Sequence, residues 1–289
     1  MDFTEYTYTD EQERFRTEVR SWIEANVPPD AVVPPGGGLE DDMSDEMLGI
    51  AREFHRKLGQ MGWLYPSYPK QYGGGGLTPE HEVVLQDELH RRRVPRFFSN
   101  GLVNAALLVW GTEEQRRKYL APMLRGELIA YQGFTEPQSG SDLANIKSTA
   151  VRDGDEWVVN GQKIFVSGPG PNNADIIFGP LLTDPDAPRH RNLGYFLIPG
   201  KTPGVSLVPM RLLNGARQHF VYYDNVRIPG DCLVGGDHQG WQVTGTTLEE
   251  EHGGRGRPGA TNGVADALLR HMRETQRGGA IIGQDPLLQ

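Results

Sequence analysis

Residues 148–168, STAVRDGDEWVVNGQKIFVSG, decide how the middle of this chain folds. Two turn signals, Asp153-Gly154 and Asn160-Gly161, punctuate runs rich in Val, Ile, Trp and Phe. That pattern predicts a β-meander. Working C-terminally, strand-like pieces recur at 174–179 (ADIIFG), 194–199 (GYFLIP), 205–210 (VSLVPM) and 220–229 (FVYYDNVRIP). Residues 129–236 are therefore expected to form a β domain of six or more short strands.

Working N-terminally, the period changes to that of helices. Phe15, Val19, Trp22 and Ile23 recur at helical spacing behind Thr9-Asp10, a good cap, and Pro28-Pro29 ends the run. A second helix is expected over 44–61, others over 78–92 and near 97–110, and a short one opening at Thr112. The stretch 65–76, YPSYPKQYGGGG, can only be a loop. Beyond the β domain helical character returns in 244–251 and 264–275. The reading is a multi-domain α+β chain. It has a helical N-terminal domain (1–128), a middle β domain (129–236) and the start of a C-terminal helical domain (237–289) too short to stand alone.

Glycine (37) and proline (21) make up a fifth of the 289 residues, which argues against an all-helical protein. A net charge of −9 with no basic block argues against a nucleic-acid or anionic-membrane partner. The lone Cys232 excludes an intrachain disulfide and a cysteine-based zinc site. The acidic, polar N-terminus is unlike a targeting peptide, and no apolar run approaches the ~20 residues of a membrane span. A cytoplasmic protein is expected. The eight histidines are scattered, with no HExxH motif and no close pair, so no metal site is expected.

The densest candidate for chemistry is 131–143, YQGFTEPQSGSDL, between a helix and the meander. Thr135, Ser139 and Ser141 supply hydroxyls, and Gly140 allows close approach to a flat ligand or a phosphate. By residue type alone it reads either as a polar connection or as a ligand loop. Glu136 and Asp142 do not read as a hydrolase pair, since Glu136-Pro137 belongs in a turn and no histidine or second acid is placed with that turn.

Residues 135–142, TEPQSGSD, resemble the TEP-x-x-GSD signature of the acyl-CoA dehydrogenase family. The resemblance continues through 58–76, 111–127 (GTEEQRRKYLAPMLRGE), 150–168, 224–235 (DNVRIPGDCLVG) and Gly240-Trp241, in family order. It implies a helical N-terminal domain, a β-barrel-like middle domain and a C-terminal four-helix bundle, here incomplete. It also implies FAD as cofactor. Phe134 and Thr135 match positions on the pyrimidine side of the flavin, and Ser141 matches a serine near the pyrophosphate and the acyl-CoA. Phe165 and Ser167 match an aromatic covering the ring and a hydroxyl near N5, where relatives usually carry Trp and Thr. Without the resemblance, Phe165 reads as a core residue of a strand.

The implied reaction is α,β-dehydrogenation of an acyl-CoA thioester: a carboxylate takes the Cα proton while the Cβ hydrogen leaves as hydride to flavin N5. Most relatives place that carboxylate late in the bundle; a minority place it on the bundle's first helix, where Glu251 falls in TGTTLEEEHGG (244–254). Read alone, Glu249, Glu250 and Glu251 form a solvated acidic face. His252 stands where relatives commonly carry Arg, which Arg255 or Arg257 would replace. Residues 276–286, QRGGAIIGQDP, occupy the place of a basic-aromatic-Gly segment that reaches a neighbouring subunit's FAD; Ile282-Gly283 fits it and Arg277 is displaced. The resemblance further implies an electron-transfer flavoprotein as electron acceptor and a homo- or hetero-oligomer. The alternative is a non-catalytic partner subunit of a heteromeric acyl-CoA dehydrogenase, or a remnant without flavin.

Overall fold

The computed structural model describes residues 8–27, 45–92, 101–168, 170–213, 217–253 and 263–284. They fall into two compact units. The first holds α1 (Asp10–Asn26) and, from later in the chain, α3 (Pro79–Arg91), α8 (Gly263–Glu274) and the two-residue strands β9 (Gln276–Arg277) and β10 (Ala280–Ile281). Thr9 caps α1 through a reciprocal bond with Gln12, as its position in the sequence predicts. Glu88 of α3 is 1% exposed and receives two bonds from the Arg20 guanidinium, at 2.9 and 3.2 Å, so α1 and α3 are joined by a buried carboxylate. The segment expected to reach a neighbour's FAD is a hairpin, turning at Gly278 and Gly279 with φ of 62° and 85°.

The second unit holds α2 (Asp45–Gln60), α4 (Leu102–Trp110), α5 (Glu113–Gln115), α6 (Ala121–Leu124), eight strands and α7 (Gly240–Glu251). A π-turn over Arg116–Leu120 joins α5 to α6. The strands are β1 (Ala130–Gln132), β2 (Thr149–Asp153), β3 (Glu156–Ser167), β4 (Ile176–Leu182), β5 (Leu193–Pro199), β6 (Val205–Arg211), β7 (Arg217–Pro229) and β8 (Leu233–Val234). They pair in the order β6-β7-β3-β2-β4-β5-β8, with β1 added parallel to β4. The middle β domain is thus, among the described residues, a mixed sheet whose pairing path does not close into a complete barrel.

The meander also differs in one particular. Asp153-Gly154 makes the β2–β3 turn, with Asp153 opposite Glu156 and Gly154 at φ 62°. Asn160-Gly161 makes no turn; β3 runs straight through it, and a bulge against β7 absorbs the irregularity. Gly161 has φ 139°, and a Cβ there would lie 2.3 Å from Ser148 Oγ, so glycine serves close approach rather than chain reversal.

One face of the sheet is sealed by Trp157, Val159, Phe196, Val221 and Ile228, with Trp157 edge-on to Phe196 at 5.1 Å. The other packs against the helices through Phe178, Tyr195, Leu107, Leu120, Leu124 and Val243. Strands β4 and β5 are buried on both faces, which is why they read as continuous apolar runs. Among the described residues no helix is long and apolar enough to cross a membrane. Nor do three His, Cys, Asp or Glu side chains gather there as a metal cluster.

Candidate active site

The candidate site grows from a gap in the sheet. Strand β1 leaves β4 after Gln132, opposite Phe178, and β2 meets β4 only at Leu182. Between them Gly133 crosses over Gly179, where a Cβ would lie 2.3 Å from the Gly133 carbonyl oxygen. Pro180 sits beside the gap, where no ladder amide is required of it.

Lys163 of β3 fills this space, 1% exposed. Its ammonium donates to Glu136 Oε1 at 2.8 Å, to the Pro180 carbonyl at 3.1 Å and to the Phe134 carbonyl at 3.2 Å, so its three N–H groups have three acceptors. Glu136, itself 2% exposed, also accepts from the Lys147 N–H at 2.6 Å and the Ser148 N–H at 3.1 Å. Burial raises the Glu136 carboxyl, but the Lys163 charge and these hydrogen bonds outweigh burial and hold it below the ordinary carboxylate range. Glu136 is thus a structural anion, closing a turn with Ser139.

The loop is therefore pinned at its root. Phe134 is buried edge-on to Phe178 and Tyr195, at 6.2 and 6.3 Å. The Thr135 carbonyl accepts from the Ile164 N–H at 2.8 Å, which brings the Thr135 backbone beside β3. Ser141 is exposed further along; the adjacent Asp142 is paired with Arg189 of the β4–β5 connection. No direct contact ties Ser141 to the other candidates among the described residues.

Sequence pattern alone places Phe165 in the core. It is instead 50% exposed, at φ 56°, in a bulge between Lys163 and Val166. A non-glycine residue in that conformation is strained by ~1–2 kcal/mol. Lys163 anchors one side of the bulge; on the other, His219 Nδ1 lies 3.0 Å from the Val166 carbonyl and Gln218 Nε2 donates to Ser167 Oγ at 3.2 Å. The tertiary structure thus holds a large ring outward with the Thr135 backbone and Ser167 nearby. Such a set suits a planar aromatic ligand carrying hydrogen-bonding edges, as a flavin does.

Glu251 closes α7. The His252 N–H donates to the Leu248 carbonyl at 2.9 Å, and Gly253, at φ 85°, donates to the Glu250 carbonyl at 3.3 Å. Helix α7 thus ends at Glu251, two residues before Gly253. The Glu251 carboxylate is exposed and accepts from Gln132 Nε2 at 3.0 Å. That contact places it beside the strand leading into Phe134 and Thr135. Arg255 and Arg257 lie outside the described residues.

Lys163 and Gln132 were missed from sequence. Lys163 had a signal: alternation from Trp157 and Val159 places residue 163 on the buried face, and a lysine there demands a partner. Gln132 had none, since its partner is 119 residues away.

Residues 9–127 match the family model for the acyl-CoA dehydrogenase N-terminal domain, and residues 132–226 match that for the middle domain. Acyl-CoA dehydrogenase FadE29 of Mycobacterium tuberculosis is 36% identical over 246 residues, covering 84% of this chain and 61% of the relative. Among solved structures, the Tcur3481-Tcur3483 steroid ACAD is 34% identical with a TM-score of 0.75, covering 93% of this chain and 67% of its own. The ChsE4-ChsE5 complex from Mycobacterium tuberculosis is 29% identical with a TM-score of 0.77, covering 98% of this chain and 71% of its own. The chain belongs to the acyl-CoA dehydrogenase family. It spans about three fifths of the length of the curated relatives it matches.

Proposed function

We propose that this chain takes part in FAD-dependent α,β-dehydrogenation of an acyl-CoA thioester. The observation that carries the reading is Phe165, held outward on a left-handed backbone between two anchored segments. Phe165 would cover the flavin ring, the Phe134-Thr135 segment and Ser167 would hydrogen-bond its edge, and Ser141 would serve the pyrophosphate and the thioester. FAD, when bound there, supplies the acceptor for the hydride from Cβ. Glu251 removes the Cα proton, and the electrons of the broken C–H bond form the Cα=Cβ double bond. The rest of the assignment follows the family: an electron-transfer flavoprotein as acceptor, a cytoplasmic oligomer, and lipid catabolism as the setting. Residues 1–128, 129–236 and 237–289 take the family's three domain positions.

A second reading is favoured by two similar structures, the Tcur3481-Tcur3483 steroid ACAD and the ChsE4-ChsE5 complex, each named for two components. On that reading this chain is a partner subunit, and another chain completes or carries the flavin site.

The visible absorption spectrum of the purified chain separates the two. Stoichiometric flavin bands support a site built by this chain; a protein that stays colourless with added FAD supports the partner reading. In a flavin-loaded protein, Glu251→Gln is expected to abolish flavin reduction by acyl-CoA while FAD stays bound. Unchanged reduction would remove Glu251 from the mechanism.

A further inference from the structure

Glu251 stands in an unfavourable place for an anion. It is in the last turn of α7, at the negative end of the helix dipole. Its own element adds Glu249 and Glu250 before it and His252 after it. The elements packed most extensively against α7 are α4, β4 and β5, whose sequences LVNAALLVW, IIFGPLL and LGYFLIP contain no Lys, Arg, Asp, Glu or His. Their single titratable group, the Tyr195 hydroxyl, is 3.0 Å from Thr247 Oγ1. No cation from these elements therefore orients the carboxylate.

A neutral donor does. Gln132 Nε2 lies 3.0 Å from Glu251 Oε2, and Gln132 is fixed in turn by the pairing of β1 with β4 opposite Phe178. The next three residues are Gly133, Phe134 and Thr135, whose carbonyl is bonded to β3. One strand end therefore carries both the root of the ligand loop and the group that holds the carboxylate.

We infer that Gln132 is a positioning residue for Glu251, its carboxamide holding the carboxylate in register with the Phe134-Thr135 loop. This rests on the reading of Glu251 as the base. A neutral amide suits the task, since it orients a carboxylate without neutralising it as Arg or Lys would.

Two measurements test it. In the NMR spectrum of the full chain, the Gln132 side-chain amide, assigned by its loss in Gln132→Met, is expected to shift in Glu251→Gln. An unmoved resonance overturns the inference and needs neither flavin nor substrate. In the flavin-loaded protein, with octanoyl-CoA as the first acyl-CoA probe, Gln132→Met is expected to slow flavin reduction at saturating probe by ~10- to 100-fold, the scale set by misplacing a reacting group. Probe affinity, FAD content and Tm are expected to be unchanged, and no further loss is expected in the Glu251→Gln background. Wild-type reduction by Gln132→Met overturns the inference while leaving Glu251 in place. Normal reduction by Glu251→Gln instead removes the reading on which it rests.

Discussion

The Lys163–Glu136 pair is fully buried at the root of the 134–142 loop. Removing one member of such a pair strands the other charge, so Lys163→Met is expected to cost ~3–5 kcal/mol in urea unfolding. Adding Glu136→Gln is expected to recover part of that loss, because the stranded carboxylate disappears. The pair also sets an acid limit. The folded-state value of Glu136 lies below its ordinary 4.5, so its contribution to stability is fully present above that pH and is lost as pH falls through the folded-state value. Unfolding midpoints should therefore drop on acidification in the native protein, with a smaller drop in the Lys163→Met, Glu136→Gln double variant. Phe165 behaves oppositely. Its ring is half exposed and its backbone strained, so Phe165→Gly is expected to leave Tm unchanged or raised while weakening FAD binding, read by flavin titration.

Among elements, α7 matters most for the proposed chemistry, because it delivers Glu251. It can start against β5 only through glycine: a Cβ on Gly240 would lie 2.6 Å from the backbone of Leu193 and Gly194. Backbone cannot yield as a flexible side chain can, so Gly240→Ala is expected to lower stability by ~1–3 kcal/mol in thermal melts. Along α7, Thr247 meets the Tyr195 hydroxyl at 3.0 Å and Thr246 accepts from Trp110 Nε1 at 2.9 Å. These threonines, undistinguished in the sequence, fasten the helix to the sheet and to α4. Strand β3 shows the same economy. A single strand carries Lys163 inward, Phe165 outward and Ser167 to its partner Gln218, because a bulge breaks the alternation between them.

The whole molecule is expected to assemble into an oligomer. This chain spans about three fifths of the length of its curated relatives. Leu268 and Leu269 of α8 are 56% and 47% exposed, an apolar pair of the kind that a helical bundle covers. Native mass spectrometry with and without FAD is expected to show an oligomer. A monomer that nevertheless binds flavin stoichiometrically would contradict the proposed assembly.

The sequence by itself determined the order of elements. Caps at Thr9 and Thr112, the turn at Asp153-Gly154, and the change from helical to strand period near residue 129 are local effects, governed by neighbours within a few residues. The family motif was legible for the same reason, since residues 135–142 are contiguous. Contiguity also misled: Asn160-Gly161 has the chemistry of a turn, but Ser148 packs against it and the strand continues. Only the tertiary structure decided that Phe165 faces outward, that Glu136 is buried against Lys163, and that Gln132 meets Glu251. The physical reason is common to all three. Burial, charge pairing and backbone strain depend on which distant segments share a space, and local preference carries no record of that.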